Sequence, residues 1–93
     1  MPRKAELEQA VRDALQPLSD EFDVEFEYPD GRFGSGYRVG FAIADLVDEE
    51  GAERREIYRA PYWRYSAAGM EAWIEAERQN VVAAVSRWRD SNA

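Results

Sequence analysis

Hydrophobic residues fall along this chain in two periods. Leu7, Ala10, Val11, Ala14, Leu15 and Leu18 recur every three or four positions, which predicts an amphipathic helix with one apolar stripe. Pro17 disfavours helical geometry at Gln16, so the helix is expected to end or kink there, with Leu18 keeping the period through one further turn. From Phe22 the period becomes two. Phe22-Asp23-Val24-Glu25-Phe26-Glu27-Tyr28 alternates without a fault and predicts a strand with its rings and Val24 inward and its carboxylates outward. Pro29-Asp30-Gly31 reads as a turn, and residues 31–36 as a flexible connection. Tyr37, Val39, Phe41 and Ile43 alternate again as a second strand, until the parity slips at Asp45-Leu46-Val47, as a bulge or strand exit requires. Asp48-Glu49-Glu50-Gly51 is a polar turn, and residues 53–60 form a weaker third strand whose inward side is left open by adjacent Ile57 and Tyr58.

Pro61-Tyr62-Trp63-Arg64-Tyr65 then makes an irregular aromatic connection, and Ser66 is placed to cap a helix. Met70, Trp73, Ile74, Glu77, Val81, Ala84, Val85 and Trp88 follow helical spacing, interrupted only by Glu77, with Arg87 and Arg89 suiting the negative end of the helix dipole. The order α-β-β-β-α predicts a single α+β domain over residues 1–93, a three-stranded antiparallel sheet with two helices packed on one face. The other face is then exposed. Its positions on the second strand, Arg38, Gly40, Ala42 and Ala44, leave a shallow flat strip that a partner's element or a second copy would cover.

A chain of 93 residues with 45% hydrophobic and 13% aromatic content has enough apolar side chain for one core. With no cysteine and no histidine there is no disulfide, no thiolate nucleophile or metal site, and no imidazole base for a serine. No catalytic residue, cofactor or metal is therefore expected. A carboxylate pair such as Asp45 with Glu56 lacks any sign of a cleft, and Asp45–Glu50 lacks the ligand spacing of a calcium loop. Gly31, Gly34 and Gly36 join two strands, whereas a phosphate cradle joins a strand to a helix. The net charge of −7 argues against direct contact with nucleic acid and against anionic membranes, although charge also simply keeps a protein soluble. MPRKAELEQAV lacks the apolar core of a signal peptide, and no apolar run nears the ~20 residues that span a bilayer, so a cytoplasmic protein is expected. Eleven arginines against one lysine, with abundant alanine, fit a GC-rich bacterial or phage source.

The element order is similar to that of the double-stranded RNA-binding domain, whose function rests on a basic cluster opening the second helix. Here that stretch is Ser66-Ala67-Ala68-Gly69-Met70-Glu71, without Lys or Arg, so the topology alone resembles that family and RNA binding is not expected.

Two surface features carry the functional expectation. From Asp20 to Asp30 there are six acids and no base: Asp20, Glu21, Asp23, Glu25, Glu27 and Asp30. Alternate strand residues lie about 6.6–6.8 Å apart, close to the spacing of phosphates on an extended nucleic-acid strand. The row could thus mimic phosphates before a basic groove; alternatively its charges pair with Arg38, Arg54, Arg55 or Arg59 on neighbouring strands. A second block, Asp45 to Glu53, adds five acids. The other feature is Tyr62-Trp63-Arg64-Tyr65, rich in the residue types that anchor interfaces, with one or two rings expected in the core and Arg64 and one ring outside. In size, charge and lack of catalytic equipment the whole chain is similar to small acidic phage-encoded antagonists of bacterial defence systems, including anti-CRISPR proteins. That resemblance implies a non-enzymatic inhibitor that blocks a basic, nucleic-acid-binding surface on a protein partner. The alternatives are a homodimeric structural or accessory module, and a small enzyme or ligand carrier.

Overall fold

Leu7, Val11 and Leu15 share one face of the first helix, and burying that face against the sheet and the last helix is what holds the helix in place. The computed structural model describes residues 4–16, 18–45 and 55–91, with Ser19 by its backbone alone. Helix α1 spans Lys4–Ala14, and a separate single turn, α2, spans Leu18–Glu21, so the apolar period does continue past the break expected at Pro17. Strands β1 (Phe22–Glu27), β2 (Arg38–Asp45) and β3 (Glu56–Arg59) follow, then a two-residue strand β4 (Trp63–Arg64), a 3-10 turn (Ala67–Gly69) and the long helix α3 (Met70–Ser91).

The sheet is an antiparallel meander, β1-β2-β3, with β2 central. Its register keeps the two faces apart: Val24 lies opposite Ile43 and Phe26 opposite Phe41 on the core face, while Asp23, Glu25 and Glu27 lie opposite Ala44, Ala42 and Gly40 on the other. A register shift between Ile43 and Ala44 resolves the ambiguity of the third strand. Tyr58 pairs with Ile43 and Glu56 with Ala44, so Ile57 is the extra residue, and both it and Tyr58 are half-buried. The strand exit expected at Leu46-Val47, the turn at 48–51, the acids beyond Asp45 and Arg54 lie outside the described residues.

Two expectations are corrected. The aromatic connection is not irregular: Trp63 and Arg64 pair with Val39 and Arg38, adding a short fourth strand to β2 beyond the end of β3. Residues 31–36 are not a loose link either. Gly36 donates its amide to the Tyr65 carbonyl (3.0 Å) and accepts from the Arg64 guanidinium (2.8 Å), while Phe33 packs against both Tyr28 and Tyr65. Gly31 and Gly36 hold φ of 70° and 86°, which explains glycine at both turns.

Helix α3 begins where Ser66 caps the 3-10 turn, its hydroxyl accepting from the Gly69 amide at 3.0 Å. Trp73, Val81, Ala84 and Val85 face the core. Glu77, which breaks the apolar stripe, is also buried, and the hydroxyl of Tyr58 on β3 donates to its carboxylate. Burial first, and that hydrogen bond second, push the Tyr58 hydroxyl up to about 12. Tyr58→Phe is therefore expected to lower stability by ~1–3 kcal/mol, because it leaves a buried carboxylate short of a donor, whereas Glu77→Gln keeps an acceptor and costs less. Urea unfolding of the two variants measures the contrast.

Candidate partner-binding face

The alternation of β4 and its flanks sorts the aromatic segment between inside and outside. Trp63 stacks on Trp73 of α3, ring centroids 4.6 Å apart and planes 7° from parallel, and Tyr65 packs edge-on to Trp63 at 5.7 Å. Tyr65 is 2% exposed, so of the four expected contact residues it belongs to the core, and half-buried Trp63 has one ring face committed to Trp73. Tyr62 and Arg64 point the other way, and Tyr62 is 50% exposed. The segment thus divides as its composition led us to expect, with Tyr62 as the outer ring.

On the outer face, the small residues of β2 have a consequence that spacing alone did not reveal. Ala42 and Ala44 are 3% and 6% exposed even though they face away from the helices. The flat strip expected there is closed over by side chains from the strands on either side. Tyr62 lies on Gly40 so closely that a Cβ there would sit 2.8 Å from its ring. Its hydroxyl donates to Glu27 at 2.6 Å, and the Arg38 guanidinium stands 5.9 Å from its ring centroid. Arg59 of β3 reaches across β2 to Glu27 on β1 and also pairs with Glu56 at 2.6 Å. The Arg59 and Tyr62 hydrogen bonds hold the Glu27 carboxyl below its usual range, and the same bond raises the Tyr62 hydroxyl.

Three carboxylates of the acidic row meet arginines of other parts of the chain. Glu21 pairs with Arg89 of α3, Glu27 with Arg59, and Asp30 with Arg38. Asp30 is the most fixed of the three: the Arg38 side chain and the Arg38 amide both donate to it and bring its carboxyl down to about 2. The pairs of Glu27 and Asp30 are ones the alternative reading of the row named, whereas Glu21 pairs with a helix arginine that it did not name. Asp20 and Glu25 are exposed and Asp23 is half-buried, and this trio gives the β1 side its negative surface. Tyr62 and Arg64 are exposed across β2 from that trio, and Tyr62 reaches back to the far end of β1 at Glu27.

A separate groove of about 380 Å³ runs between the end of α1, α2 and the outer side of α3, lined by Ala14, Leu18, Val82 and Val85 with Arg78, Arg89 and Asp90. It was not foreseen, because its apolar wall is assembled from three helices, and α3 is far in sequence from the other two. Within the described residues no helix is long and apolar enough to cross a membrane. No protein-family model matches the chain, and comparison with curated proteins and with solved structures gives no significant match.

Gly40→Ala is expected to push Tyr62 off the sheet and break its bond to Glu27, at a cost of ~1–2 kcal/mol. In a Tyr62→Ala background the same substitution should cost close to nothing, so the pair is strongly non-additive. A double-mutant cycle by denaturant unfolding measures that coupling.

Proposed function

We propose that this chain is a non-enzymatic, acidic protein-binding module that occludes a basic, nucleic-acid-binding surface of a protein partner, in the manner of a small inhibitor. A cytoplasmic location goes with that role. The observation that carries it is the composition of the outer margin on the two sides of β2, with exposed Asp20 and Glu25 and half-buried Asp23 along β1 and exposed Tyr62 and Arg64 at β4. Carboxylates on one side of a surface attract a basic partner over roughly a Debye length, ~10 Å at 0.1 M salt, and so raise the association rate. Tyrosine and arginine supply the desolvated contacts that slow release. The chain's net charge of −7 acts in the same direction, orienting a cationic surface toward it before contact.

The two parts of the margin separate experimentally. Asp20→Asn, Asp23→Asn and Glu25→Gln together should slow association with the partner about tenfold and flatten its salt dependence. Tyr62→Ala with Arg64→Ala should mainly speed dissociation. The partner itself is obtained by pull-down with the tagged chain at ~50 mM and ~500 mM salt, since screening at the higher value removes most long-range attraction. A nucleic-acid-handling protein caught only at low salt, and lost with the triple neutralisation, is the expected result. A catch indifferent to both salt and these substitutions would refute the proposal.

A further inference from the structure

Two large hydrophobic side chains are strongly exposed among the described residues: Tyr62, which lies on Gly40, and Val82, 47% exposed near the middle of α3. Val82 forms one wall of the groove of about 380 Å³, with Ala14, Leu18 and Val85 as its other apolar lining. The groove lies in the helical layer, across the sheet from Tyr62 and Glu25, so an occupant there leaves the face proposed above for the partner uncovered.

The charges along this side of α3 come in a particular order. Glu75 lies seven residues before Val82, and Arg89 seven residues after it. Seven residues fall about 20° short of two full helical turns, so the three share one line along the helix. An acid, a valine and a base in that order are complementary to their own reverse. Two α3 helices set antiparallel about a two-fold axis at Val82 bring the valines together at the centre. Glu75 of each protomer then faces Arg89 of its partner, once at either end. A parallel pair would instead set each charge against its like.

Neither charge needs to be free for this. Glu75 accepts from Arg78 and Gln79, and Arg89 donates to Glu21 through one of its nitrogens. A carboxylate offers about four acceptor sites and a guanidinium about five donors, so both keep capacity after these bonds. Association then joins the existing pairs in the alternating order Glu21, Arg89, Glu75, Arg78, one such string at each end of the apolar centre. A network of this kind is stronger than isolated exposed pairs.

We propose that the groove side of α3 is a self-association surface whose occupant is the same face of a second copy, antiparallel and two-fold. The sheet strip that a second copy was expected to cover is closed by Tyr62 and Arg59, so the surface for a homodimer lies on the helix instead.

Sedimentation equilibrium of the full chain tests this, at ~150 mM salt so that the net charge of −7 on each copy is screened beyond about 8 Å. The weight-average mass should rise toward twice the monomer's between about 10 μM and about 1 mM, the span of a weak interface. Val82→Glu, which sets two carboxylates together at the two-fold axis, should hold the chain monomeric with an unchanged far-UV spectrum. Glu75→Arg and Arg89→Glu each set like charges opposite at both ends, and each alone should be monomeric. Mixed in equal amounts, the two variants again set an acid against a base at both ends, and dimers of one of each should return. A merely misfolded variant gives no such recovery. A wild-type chain that stays monomeric at ~1 mM overturns the proposal. Self-association that survives Val82→Glu overturns the surface, and a mixture that stays monomeric overturns the antiparallel register. The pull-down above reads the other face of the molecule, so either proposal can fail while the other stands.

Discussion

The stack of Trp63 on Trp73 is the contact from which the outer surface of this protein takes its form. It fixes a two-residue strand against the central strand and ties that strand to the longest helix in one step. Because strand residues alternate, anchoring Trp63 inward sends Tyr65 inward as well and sends Tyr62 and Arg64 outward. Tyr65 then seals the connection between β1 and β2 by accepting the Gly36 amide and packing on Phe33. A near-parallel stack at this distance also shields the stacked face of each indole from water and adds about 0.5–1.5 kcal/mol beyond area burial.

The second constraint is the absence of bulk on the outer side of β2. Gly40, Ala42 and Ala44 give Tyr62 and Arg59 room to lie across the strand and meet Glu27. Individually such exposed pairs contribute little. Their effect here is positional: they turn a flat sheet face into a closed one and consume part of the acidic row. The outer surface then carries Asp20, Asp23 and Glu25 on the β1 side of β2 and an exposed tyrosine and arginine on the other.

Much of this was legible in the chain. The two hydrophobic periods gave both long helices and the meander, because a stripe at 3.6 and an alternation at 2 each bury only one way. The role of Glu77 was not legible, since its partner Tyr58 comes from a strand whose inward side is hidden by a bulge. β4 was missed for a related reason: two residues carry no period, and its pairing to Arg38 and Val39 depends on where α3 holds Trp63. At the candidate site, the sequence could not separate Tyr62 from Tyr65, or say which arginines Glu21, Glu27 and Asp30 would meet. Those distinctions depend on strand register and on arginines distant in sequence, Arg59 and Arg89 above all.

The most direct measurement is the denaturant stability of four single variants, Tyr62→Ala, Trp63→Ala, Arg64→Ala and Tyr65→Ala, with Tyr65→Phe beside them. Trp63→Ala and Tyr65→Ala should each cost ~3 kcal/mol or more, as losing a packed ring does, and Tyr62→Ala and Arg64→Ala under about 1. Tyr65→Phe should be neutral or stabilising, because the buried Tyr65 hydroxyl has no hydrogen-bond partner among the described residues. Near-wild-type stability of Trp63→Ala and Tyr65→Ala, with the loss falling on Tyr62→Ala instead, would contradict the division between core and surface on which the account is built.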